Sequence, residues 1–451
     1  MSTTKKTAMN RRDFMKVSGG AIGAASVAGT GLYAAQSFAN TNLDSMARVV
    51  IVGGGLGGAT CAKYIKRASA SIDVTIIEPN KTYYTGFTSN LTISGMITMD
   101  QLAHTYEGLA AMGINIVHEN VTDITDNSVK TAGGGSYGFD RCVVSPGVDF
   151  KYVEGHSEEV ANSSVTHAYK SGPQMTLLGK QIHSMKDGGT VVIAAPRNPF
   201  RCPPGPYERV SQIATYLKEN KPKSKIIVLD PKDKFSKFGL FREAWKIHYG
   251  FDPSKDGGDN SMISWIKGAA GGAIEAVEAG SNTAVCSIEE FKGDVLNVIP
   301  DQKAGHIAHV AGLVDGDWCP VDLQTFESKK RKNIYVIGDS AAAKGLPKSG
   351  YAAASEAKVC AASIVATLNG MSTPIPAYTN TCYSVVARND AFSVAAVYQL
   401  AADKSKVMKV SGGLTPSGDK RNAAHRVREV QYALSWYDNI TSDAFNDAKK
   451  L

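Results

Sequence analysis

Two cysteines stand in sequence contexts that suit redox chemistry. Cys202 lies in the proline-rich loop 200–209, where Arg201 stands beside the sulfur and is predicted to favour the thiolate. Cys382 lies much later, early in the C-terminal region. Because seven cysteines can pair in many ways, spacing alone leaves both a structural disulfide and a redox pair open.

Short cysteine motifs of known chemistry are missing from the sequence. It contains no C-x-x-C, which disfavours a thioredoxin-like site and a structural zinc site, and we expect no metal. It contains no C-x-x-C-H, the attachment motif of c-type haem, so we expect no haem on this chain. Of the other cysteines, Cys286 and Cys319 stay undetermined. Three are predicted to be structural, namely Cys61 in a helix, Cys142 in a strand and Cys360 in an alanine-rich helix.

A glycine-rich turn predicts a phosphate-binding site for a dinucleotide. An apolar strand leads directly into Gly53, Gly55 and Gly58, and a helix is predicted to follow as far as about Arg67. These glycines permit a tight turn, close approach of the backbone to pyrophosphate, and close packing of the helix on the strand. Glu78, which follows a second strand, is placed to accept hydrogen bonds from a ribose hydroxyl. Glycine-rich turns that bind no ligand are common, so the prediction depends on the flanking strands and on Glu78.

Two later strands favour FAD over NAD as the dinucleotide. One apolar strand ends in Gly147, and another, at 333–339, delivers Asp339 directly after Gly338. In flavoproteins with two dinucleotide-binding domains, such a strand returns the chain to the first domain and its Asp bonds the ribityl chain of the flavin. The alternative is that Asp339 only caps an ordinary strand-to-helix turn. Together with the glycine turn, the pattern predicts FAD.

A second strand–turn unit lies between the two parts of the predicted FAD-binding domain, but it lacks the features of a nicotinamide site. Strands are predicted at 189–193 and 225–230. The turn at 194–199 contains two prolines, which remove N–H donors, and no glycine that would let pyrophosphate approach. We therefore expect a domain that keeps the fold without the NAD(P)H site, and electrons that do not come from NADH.

These units predict an α/β protein with two Rossmann-like dinucleotide-binding domains and a C-terminal α+β interface domain. In the C-terminal region, strands are predicted at 392–400 and 407–410, and a helix from Asn422. The predicted organisation is a twin-arginine signal peptide at 1–39, the first part of the FAD-binding domain at 40–155, an NAD-like domain without the glycine fingerprint at 156–297, the second part of the FAD-binding domain at 298–369 and the interface domain at 370–451.

The charge of the sequence is concentrated at its start. The whole chain carries a formal charge of +7, and residues 1–39 hold a net +4 of it. Arg11 and Arg12 precede a mildly apolar Gly/Ala-rich run and a small-residue cleavage site, which predicts export by the twin-arginine route to the periplasm. The remainder is near neutral and has no apolar stretch of about 18 residues, so we expect no nucleic-acid partner and no membrane span.

Several stretches across residues 40–451 carry a family resemblance. The most specific are the Cys202 loop and the segment 318–322, with sequence Trp-Cys-Pro-Val-Asp; the others are 83–85, 89–90, 297–300, 336–339 and 347–351. By these stretches the chain resembles the flavoprotein subunits of flavocytochrome c sulfide dehydrogenase, within the glutathione-reductase-like flavoproteins.

The resemblance implies a function and a set of site residues. Cys202 and Cys382 would form a redox disulfide against the isoalloxazine ring, with Glu208 nearby. Sulfide would be oxidised to zero-valent sulfur or polysulfide, and FAD would pass the electrons to a separate c-type cytochrome subunit. A helix that opens at Lys348, Ser349, Gly350 and Tyr351 would direct its N-terminus at the flavin pyrimidine.

One departure from the family pattern concerns attachment of the flavin. Family members with a covalently tethered flavin carry the attaching cysteine in the stretch that matches residues 83–90. Gly86 stands at that place here, and no cysteine occurs between Cys61 and Cys142, so we expect non-covalent FAD. Two rival functions stay open: a sulfide:quinone reductase, and a periplasmic flavin-binding electron-relay subunit without sulfide activity.

Overall fold

A computed structural model describes residues 46–170 and 172–447 of the protein. The predicted export signal at 1–39 lies outside the described residues. In chain order the strands are β1 Arg48–Val52, β2 Asp73–Ile77, β3 Tyr83–Tyr84, β4 Ala103–His104, β5 Asn115–Val117, β6 Val121–Ile124, β7 Ser128–Thr131, β8 Ser136–Gly138, β9 Arg141–Val144, β10 Val148–Lys151, β11 Thr190–Ala194, β12 Lys225–Leu229, β13 Ile263–Ile266, β14 Ile274–Glu278, β15 Thr283–Cys286, β16 Glu290–Lys292, β17 Val295–Val298, β18 Asp301–Ala304, β19 Ile334–Val336, β20 Ala377–Ala387, β21 Asp390–Leu400 and β22 Val407–Leu414.

The α-helices run between and after these strands. They are α1 Leu56–Ala68, α2 Glu107–Ala110, α3 Glu158–Ser163, α4 Pro173–Ser184, α5 Gly205–Asn220, α6 Phe238–Tyr249, α7 His306–Val310, α8 Gly350–Leu368 and α9 Ala423–Phe445.

The first sheet has five parallel strands in the order β19-β9-β1-β2-β5. The central strand β1 is apolar along Val49–Val52, and each of these residues is at most 4% exposed. Such continuous apolar runs are typical of parallel strands covered on both faces. Because β19 comes from residues far along the chain, this sheet joins an N-terminal and a later segment, as the sequence predicts.

The second sheet has four parallel strands in the order β13-β12-β11-β17. Helix α5 follows β11 and packs its apolar face, including Val210, Ile213 and Leu217, into the core of this sheet. The sheet is the second Rossmann-like unit, and it contains the strands predicted at 189–193 and 225–230 with shifts of one residue at their ends.

The C-terminal region forms an antiparallel sheet, β20-β21-β22, followed by the long helix α9. Asn422 caps α9 by accepting a hydrogen bond from the backbone N–H of His425, as a helix start at that residue requires. The predicted α/β class with two Rossmann-like domains and a C-terminal α+β domain is confirmed. The exact domain boundaries stay predictions.

In residues 46–170 and 172–447, no helix is long and apolar enough to cross a membrane. Within the same ranges, no group of three or more His, Cys, Asp or Glu side chains could hold a metal ion.

Candidate active site

The carboxyl ends of the first sheet bring the predicted cofactor residues together. The register pairs the last residues of β1, β2, β9 and β19 with one another, so these strands end at the same edge. Gly53, Glu78, Gly147 and Asp339 each lie within three residues after one of these strand ends. Ligands of open α/β sheets bind at this edge.

The glycines after β1 meet different constraints. Gly53 has a φ of +98°, and a Cβ there would lie 2.4 Å from the carbonyl oxygen of Ser145. A Cβ on Gly58 would lie 1.9 Å from the carbonyl oxygen of Gly53, so helix and strand could not pack as they do. At Gly55 a Cβ would meet only Tyr83, at 3.6 Å, so the protein itself leaves room there. A glycine at a position where the protein itself would accommodate a side chain is consistent with close approach of a ligand to the backbone.

Two carboxylates flank this turn. Glu78 accepts a hydrogen bond from the backbone N–H of Gly54 at 2.9 Å, which places its carboxylate against the glycine turn. Asp339 is half-buried, but its Oδ1 atom is fully buried and has no hydrogen-bond partner within the part of the chain that the structure describes. Burial raises the pKa of Asp339, while the positive charges of Arg201 and Lys348 oppose that rise. A buried acceptor without a protein donor fits the hydroxyl groups of a ribityl chain, so the residues present suit FAD.

Gly147 and Gly338 shape the backbone beside Asp339. Both have positive φ values, +70° and +73°. The carbonyl oxygen of Gly147 accepts hydrogen bonds from the hydroxyl of Ser340 and the backbone N–H of Gly305. These bonds fix the end of β9 against the turn that carries Asp339.

Lys348 is held by three contacts beneath this turn. Its ammonium donates to the carbonyl oxygens of Asp339 at 2.6 Å and Ala341 at 2.9 Å. It also lies 3.7 Å from the centre of the Trp318 ring, a cation–π contact. Burial lowers the pKa of Lys348, and the nearby carboxylates of Asp339 and Glu356 oppose that change.

The predicted helix opening at residues 348–351 is present. The hydroxyl of Ser349 accepts a hydrogen bond from the backbone N–H of Ala352 and caps α8, whose first residue is Gly350. A Cβ on Gly350 would lie 2.9 Å from the ring of Phe87, so glycine lets this helix end approach the 87–91 segment. The ring of Tyr351, in the first turn, stacks on Trp436 with ring centres 6.4 Å apart.

Sequence reasoning missed Glu356, a buried acid in α8. Its Oε2 accepts a hydrogen bond from the backbone N–H of Gly338 at 2.7 Å. Burial raises the pKa of Glu356 to about 8, and the Gly338 bond and the charge of Lys348 act against that rise. The signal was available in the sequence: Glu356 is four residues after Ala352 and four before Cys360, on the apolar stripe of the helix.

Cys202 and Cys382 line one pocket although 180 residues separate them in the chain. Cys202 lies just before α5, and Cys382 lies in β20 opposite Val394 of β21. Phe87 and Trp436 complete an apolar wall, from the segment before Leu91 and from α9. Both cysteines are free thiols in the structure, so the disulfide implied by the family resemblance stays a proposal.

Arg201 lowers the pKa of Cys202, which is the direction that the sequence predicts, but burial has the larger effect. Burial raises the pKa of Cys202 well above its usual range, and the nearby Cys382 and Glu208 raise it further. The charges of Lys237 and Arg201 lower it but do not offset the burial. The loop itself is tightly defined, since Cys202 has a φ of +56° and its carbonyl oxygen accepts a 2.7 Å bond from the N–H of Gly205.

Glu208 lies in the first turn of α5 and lines the same pocket. Its two carboxylate oxygens accept hydrogen bonds from the side-chain amide of Asn90 at 2.9 Å and the backbone N–H of Val385 at 3.0 Å. Burial raises the pKa of Glu208, and these two donors oppose the rise. The carboxyl therefore ties the 87–91 segment, α5 and β20 together beside the two sulfurs.

Arg209, a neighbour that the sequence did not assign a role, organises the other side of this network. Its guanidinium donates to the side-chain oxygens of Asn90 at 3.1 Å and Asn297 at 2.9 Å, and to the carbonyl oxygens of His167 and Ala168. A buried guanidinium is tolerated only with such a set of acceptors. Arg209 thus orients Asn90 toward Glu208.

Lys237 is a second cation that the sequence reasoning missed. Its ammonium donates to the carbonyl oxygen of Cys382 and to the hydroxyl of Ser384, both at 3.1 Å. It stands at the N-cap of α6, and its positive charge lowers the pKa of Cys202. In the sequence, Lys237 is one of several lysines in the stretch 232–237, and nothing in its spacing indicates a contact with Cys382.

The turn after β11 binds its polar groups within the protein. The backbone N–H of Arg197 donates to Asp301 at 2.7 Å, and the carbonyl oxygen of Pro196 accepts from Lys232 at 2.6 Å. Ala194 and Ala195 are buried. The turn contains no glycine, and these bonds tie its backbone to Asp301 and Lys232. The absence of a nicotinamide site and the inability to use NADH stay predictions.

Gly86 is exposed, and its carbonyl oxygen accepts a hydrogen bond from the hydroxyl of Ser89 at 2.7 Å. It lies between β3 and the 87–91 segment that lines the cysteine pocket. The type of flavin attachment at this place stays a prediction.

Three family models match the sequence. The pyridine nucleotide-disulphide oxidoreductase model matches residues 47–179. The central part of the sulfide dehydrogenase (flavocytochrome c) flavoprotein chain matches residues 175–300, and the flavin-binding part of flavocytochrome c sulphide dehydrogenase matches residues 374–445.

The chain is also similar to individual proteins, with different degrees of sequence identity and coverage. The sulfide dehydrogenase (flavocytochrome c) flavoprotein chain of Chlorobaculum thiosulfatiphilum is 53% identical over 38 residues, which are 8% of this chain and 79% of that sequence. The mitochondrial sulfide:quinone oxidoreductase of Dictyostelium discoideum is 24% identical over 323 residues, 69% of this chain and 68% of that protein. The sulfide:quinone oxidoreductase structure from Aquifex aeolicus superposes with a TM-score of 0.63 at 17% identity, covering 89% of this chain and 93% of that one, and shows the shared fold.

Proposed function

The chain belongs to the family of flavocytochrome c sulfide dehydrogenase flavoproteins, which are FAD-dependent oxidoreductases that act on sulfide, and we propose that its chemistry runs through Cys202 and Cys382. The observation that carries this proposal is the pocket in which both sulfurs and Glu208 meet. In this proposal the two sulfurs are joined as a disulfide in the resting enzyme.

The reaction begins with attack of HS⁻ on one sulfur of the disulfide. The S–S bond breaks, a persulfide forms on one cysteine, and the other cysteine leaves as a thiolate. Transfer of the sulfane sulfur to a further HS⁻ gives a polysulfide and frees the second cysteine. Each HS⁻ oxidised to zero-valent sulfur releases one proton and two electrons. FAD, when bound, would supply the two-electron acceptor that lets the two cysteines rejoin as a disulfide, and it could release the electrons singly.

The residues around the sulfurs handle charge and protons. Lys237 and Arg201 supply positive charge near Cys202, which favours entry of HS⁻ and stabilises the thiolate that leaves. Glu208, with its raised pKa, accepts the proton released from HS⁻. Asn90 and the backbone of Val385 hold its carboxylate in place for that role.

FAD is held without a covalent bond in this proposal. Asp339 would accept hydrogen bonds from the ribityl chain, the turn at Gly53 and Gly55 would receive the pyrophosphate, and Glu78 would accept from a ribose hydroxyl. Gly86 offers no sulfur for a thioether. The N-terminus of α8 would place its partial positive charge beside the reduced flavin.

The electron acceptor in this proposal is a separate c-type cytochrome subunit in the periplasm. The name of the family supports a cytochrome partner, and the sequence has no haem-attachment motif of its own. The twin-arginine pattern at Arg11 and Arg12 supports export of the folded, FAD-loaded protein.

The acceptor is tested by mixing the FAD-loaded protein anaerobically with sulfide and either a c-type cytochrome or a soluble ubiquinone analogue. We expect catalytic reduction of the cytochrome, with little reduction of the quinone. Faster reduction of the quinone would favour the sulfide:quinone oxidoreductase reaction named for the relatives above. NADH in place of sulfide serves as the control and should reduce neither acceptor.

A further inference from the structure

A second cavity lies at the carboxyl edge of the second sheet, where a related enzyme would bind a nicotinamide dinucleotide. One wall comes from the loop after β11 and the other from the loop after β12. The residues that carry the argument are Asn198, Phe200 and Pro203 from the first loop, and Lys232, Lys234 and Phe235 from the second. The turn at 194–199 has no glycine, and its two prolines lack N–H donors, so a ligand smaller than a dinucleotide is the better candidate for this cavity.

The lysines of this cavity differ in how far their charge is compensated. Lys232 forms an ion pair with Asp230 at 2.7 Å and lies 5.3 Å from the ring centre of Phe200. Lys234 has no ion pair or side-chain hydrogen bond within residues 46–170 and 172–447. The nearest acid in sequence, Asp233, accepts a hydrogen bond from the backbone N–H of Ala269. The cavity therefore presents the uncompensated charge of the exposed Lys234, and Phe200 and Phe235 share its lining.

That lining fits an anion with an apolar, polarisable body. The rings of Phe200 and Phe235 contact soft apolar atoms well, while ammonium groups bind terminal negative charges. Phosphate and sulfate match only the cationic part of this lining. A short chain of sulfur atoms with a negative charge at each end matches both parts.

The cavity adjoins the cysteine site through shared loops. Pro203 lines the cavity and its neighbour Cys202 lines the cysteine pocket. The other loop carries Lys234 into the cavity and continues to Lys237, whose ammonium bonds the carbonyl oxygen of Cys382. Lys234 and Lys237 thus place one positive charge at the cavity and another beside Cys382.

We propose that this cavity binds inorganic polysulfide dianions, the anionic sulfur chains that leave the cysteine pair. The inference rests on the proposed function, because oxidation of sulfide at Cys202 and Cys382 is the source of such chains. The site that serves a nicotinamide dinucleotide in related folds serves here as a holding site for the product.

The test is anaerobic titration calorimetry with sodium tetrasulfide. It uses the FAD-loaded variant with both Cys202→Ser and Cys382→Ser, so that tetrasulfide can exchange with neither a disulfide nor a thiol of the pair. We expect saturable binding, weakened about tenfold when Lys234→Gln is added, since a charge-assisted contact is lost. Lys234→Arg should restore most of the affinity. Lys180→Gln, which removes an exposed charge from α4, is the matched control and should leave it unchanged.

Two outcomes would overturn the inference: tetrasulfide binding that Lys234→Gln does not weaken, or sodium sulfate binding as tightly as tetrasulfide. The first would place the ligand elsewhere, and the second would make the cavity a general anion site. Failure of the proposed function is read separately, from the flavin spectrum of the wild-type protein with sulfide, a measurement that does not depend on Lys234.

Discussion

The backbone N–H of Cys202 donates a 2.7 Å hydrogen bond to the carbonyl oxygen of Lys348. This bond joins the loop of the candidate redox cysteine to the residue that supports the Asp339 turn and precedes α8. It helps to hold Cys202 at a φ of +56°, a conformation that costs a non-glycine residue about 1–3 kcal/mol. Hydrogen bonds therefore connect Cys202 through Lys348 to Asp339, and they position the sulfur relative to the flavin-binding edge.

Glu208 and Lys237 should shift the reactivity of the Cys202 thiol in opposite directions. An anionic Glu208 disfavours the thiolate, so Glu208→Gln should lower the Cys202 pKa and raise its alkylation rate several-fold at mildly alkaline pH. Lys237→Gln removes a stabilising cation and should slow the same reaction. Iodoacetamide labelling of the dithiothreitol-reduced protein, read out by mass spectrometry, measures both. Changes of the same sign in both variants would contradict this electrostatic account.

Asp339 should contribute strongly to FAD affinity. Its Oδ1 has no donor among the protein groups of the described ranges, and Asp339→Ala removes that acceptor. We expect FAD to bind about tenfold or more weakly, measured as flavin released per protein on dilution. Asp317→Asn, at an exposed ion pair with Lys151, is the control and should retain FAD like the wild type. Equal retention by Asp339→Ala would remove Asp339 from the cofactor site.

Glu356 should make stability depend on pH. Its pKa is raised from 4.5 to about 8 by burial, so the folded protein binds more protons than the unfolded chain between these values. Its contribution to stability is therefore full below about pH 4.5 and is lost as the pH rises toward 8, with a slope of up to about 1.4 kcal/mol per pH unit. Urea unfolding of the FAD-loaded protein across this range measures it.

The Glu356→Gln variant isolates this group from all others that titrate in the same range. We expect the difference in unfolding free energy between wild type and variant to move in favour of the variant as the pH rises. A difference that stays constant from pH 4.5 to 8 would mean that Glu356 is charged in the folded protein.

Acid precipitation should release the flavin. Because Gly86 stands where the tethering cysteine of other family members lies, the yellow colour should pass into the supernatant. Gly86→Cys offers the converse experiment, since a thiol at this place could retain some flavin in the pellet. Colour retained in the wild-type pellet would show a covalent bond and defeat the expectation.

Local patterns were sufficient to predict the fold. Strands such as β1 and β11 are continuous apolar runs, and a Cβ on Gly58 would lie only 1.9 Å from the carbonyl oxygen of Gly53, five residues earlier. The cap at Ser349 also follows from local sequence. These features depend on neighbours in the chain, which is why a single sequence reveals them.

The electrostatics of the site could not be predicted in that way. Arg201, the neighbour of Cys202 in sequence, lowers the pKa of this thiol as expected, whereas burial by distant segments raises it more. Lys237 reaches Cys382 across 145 residues, and Asn90 reaches Glu208 across 118. The pairing of Cys202 with Cys382 rested on family resemblance, because their proximity arises only when β20 packs on α5.

The central claim is that sulfide delivers electrons to FAD through Cys202 and Cys382. Anaerobic titration of the FAD-loaded protein with sulfide, followed by the visible flavin absorbance, tests it most directly. The wild-type protein and a Cys286→Ser control should be bleached, whereas Cys202→Ser and Cys382→Ser should keep their FAD and stay oxidised. An unbleached wild-type flavin, or equal bleaching in the Cys202→Ser variant, would contradict the account.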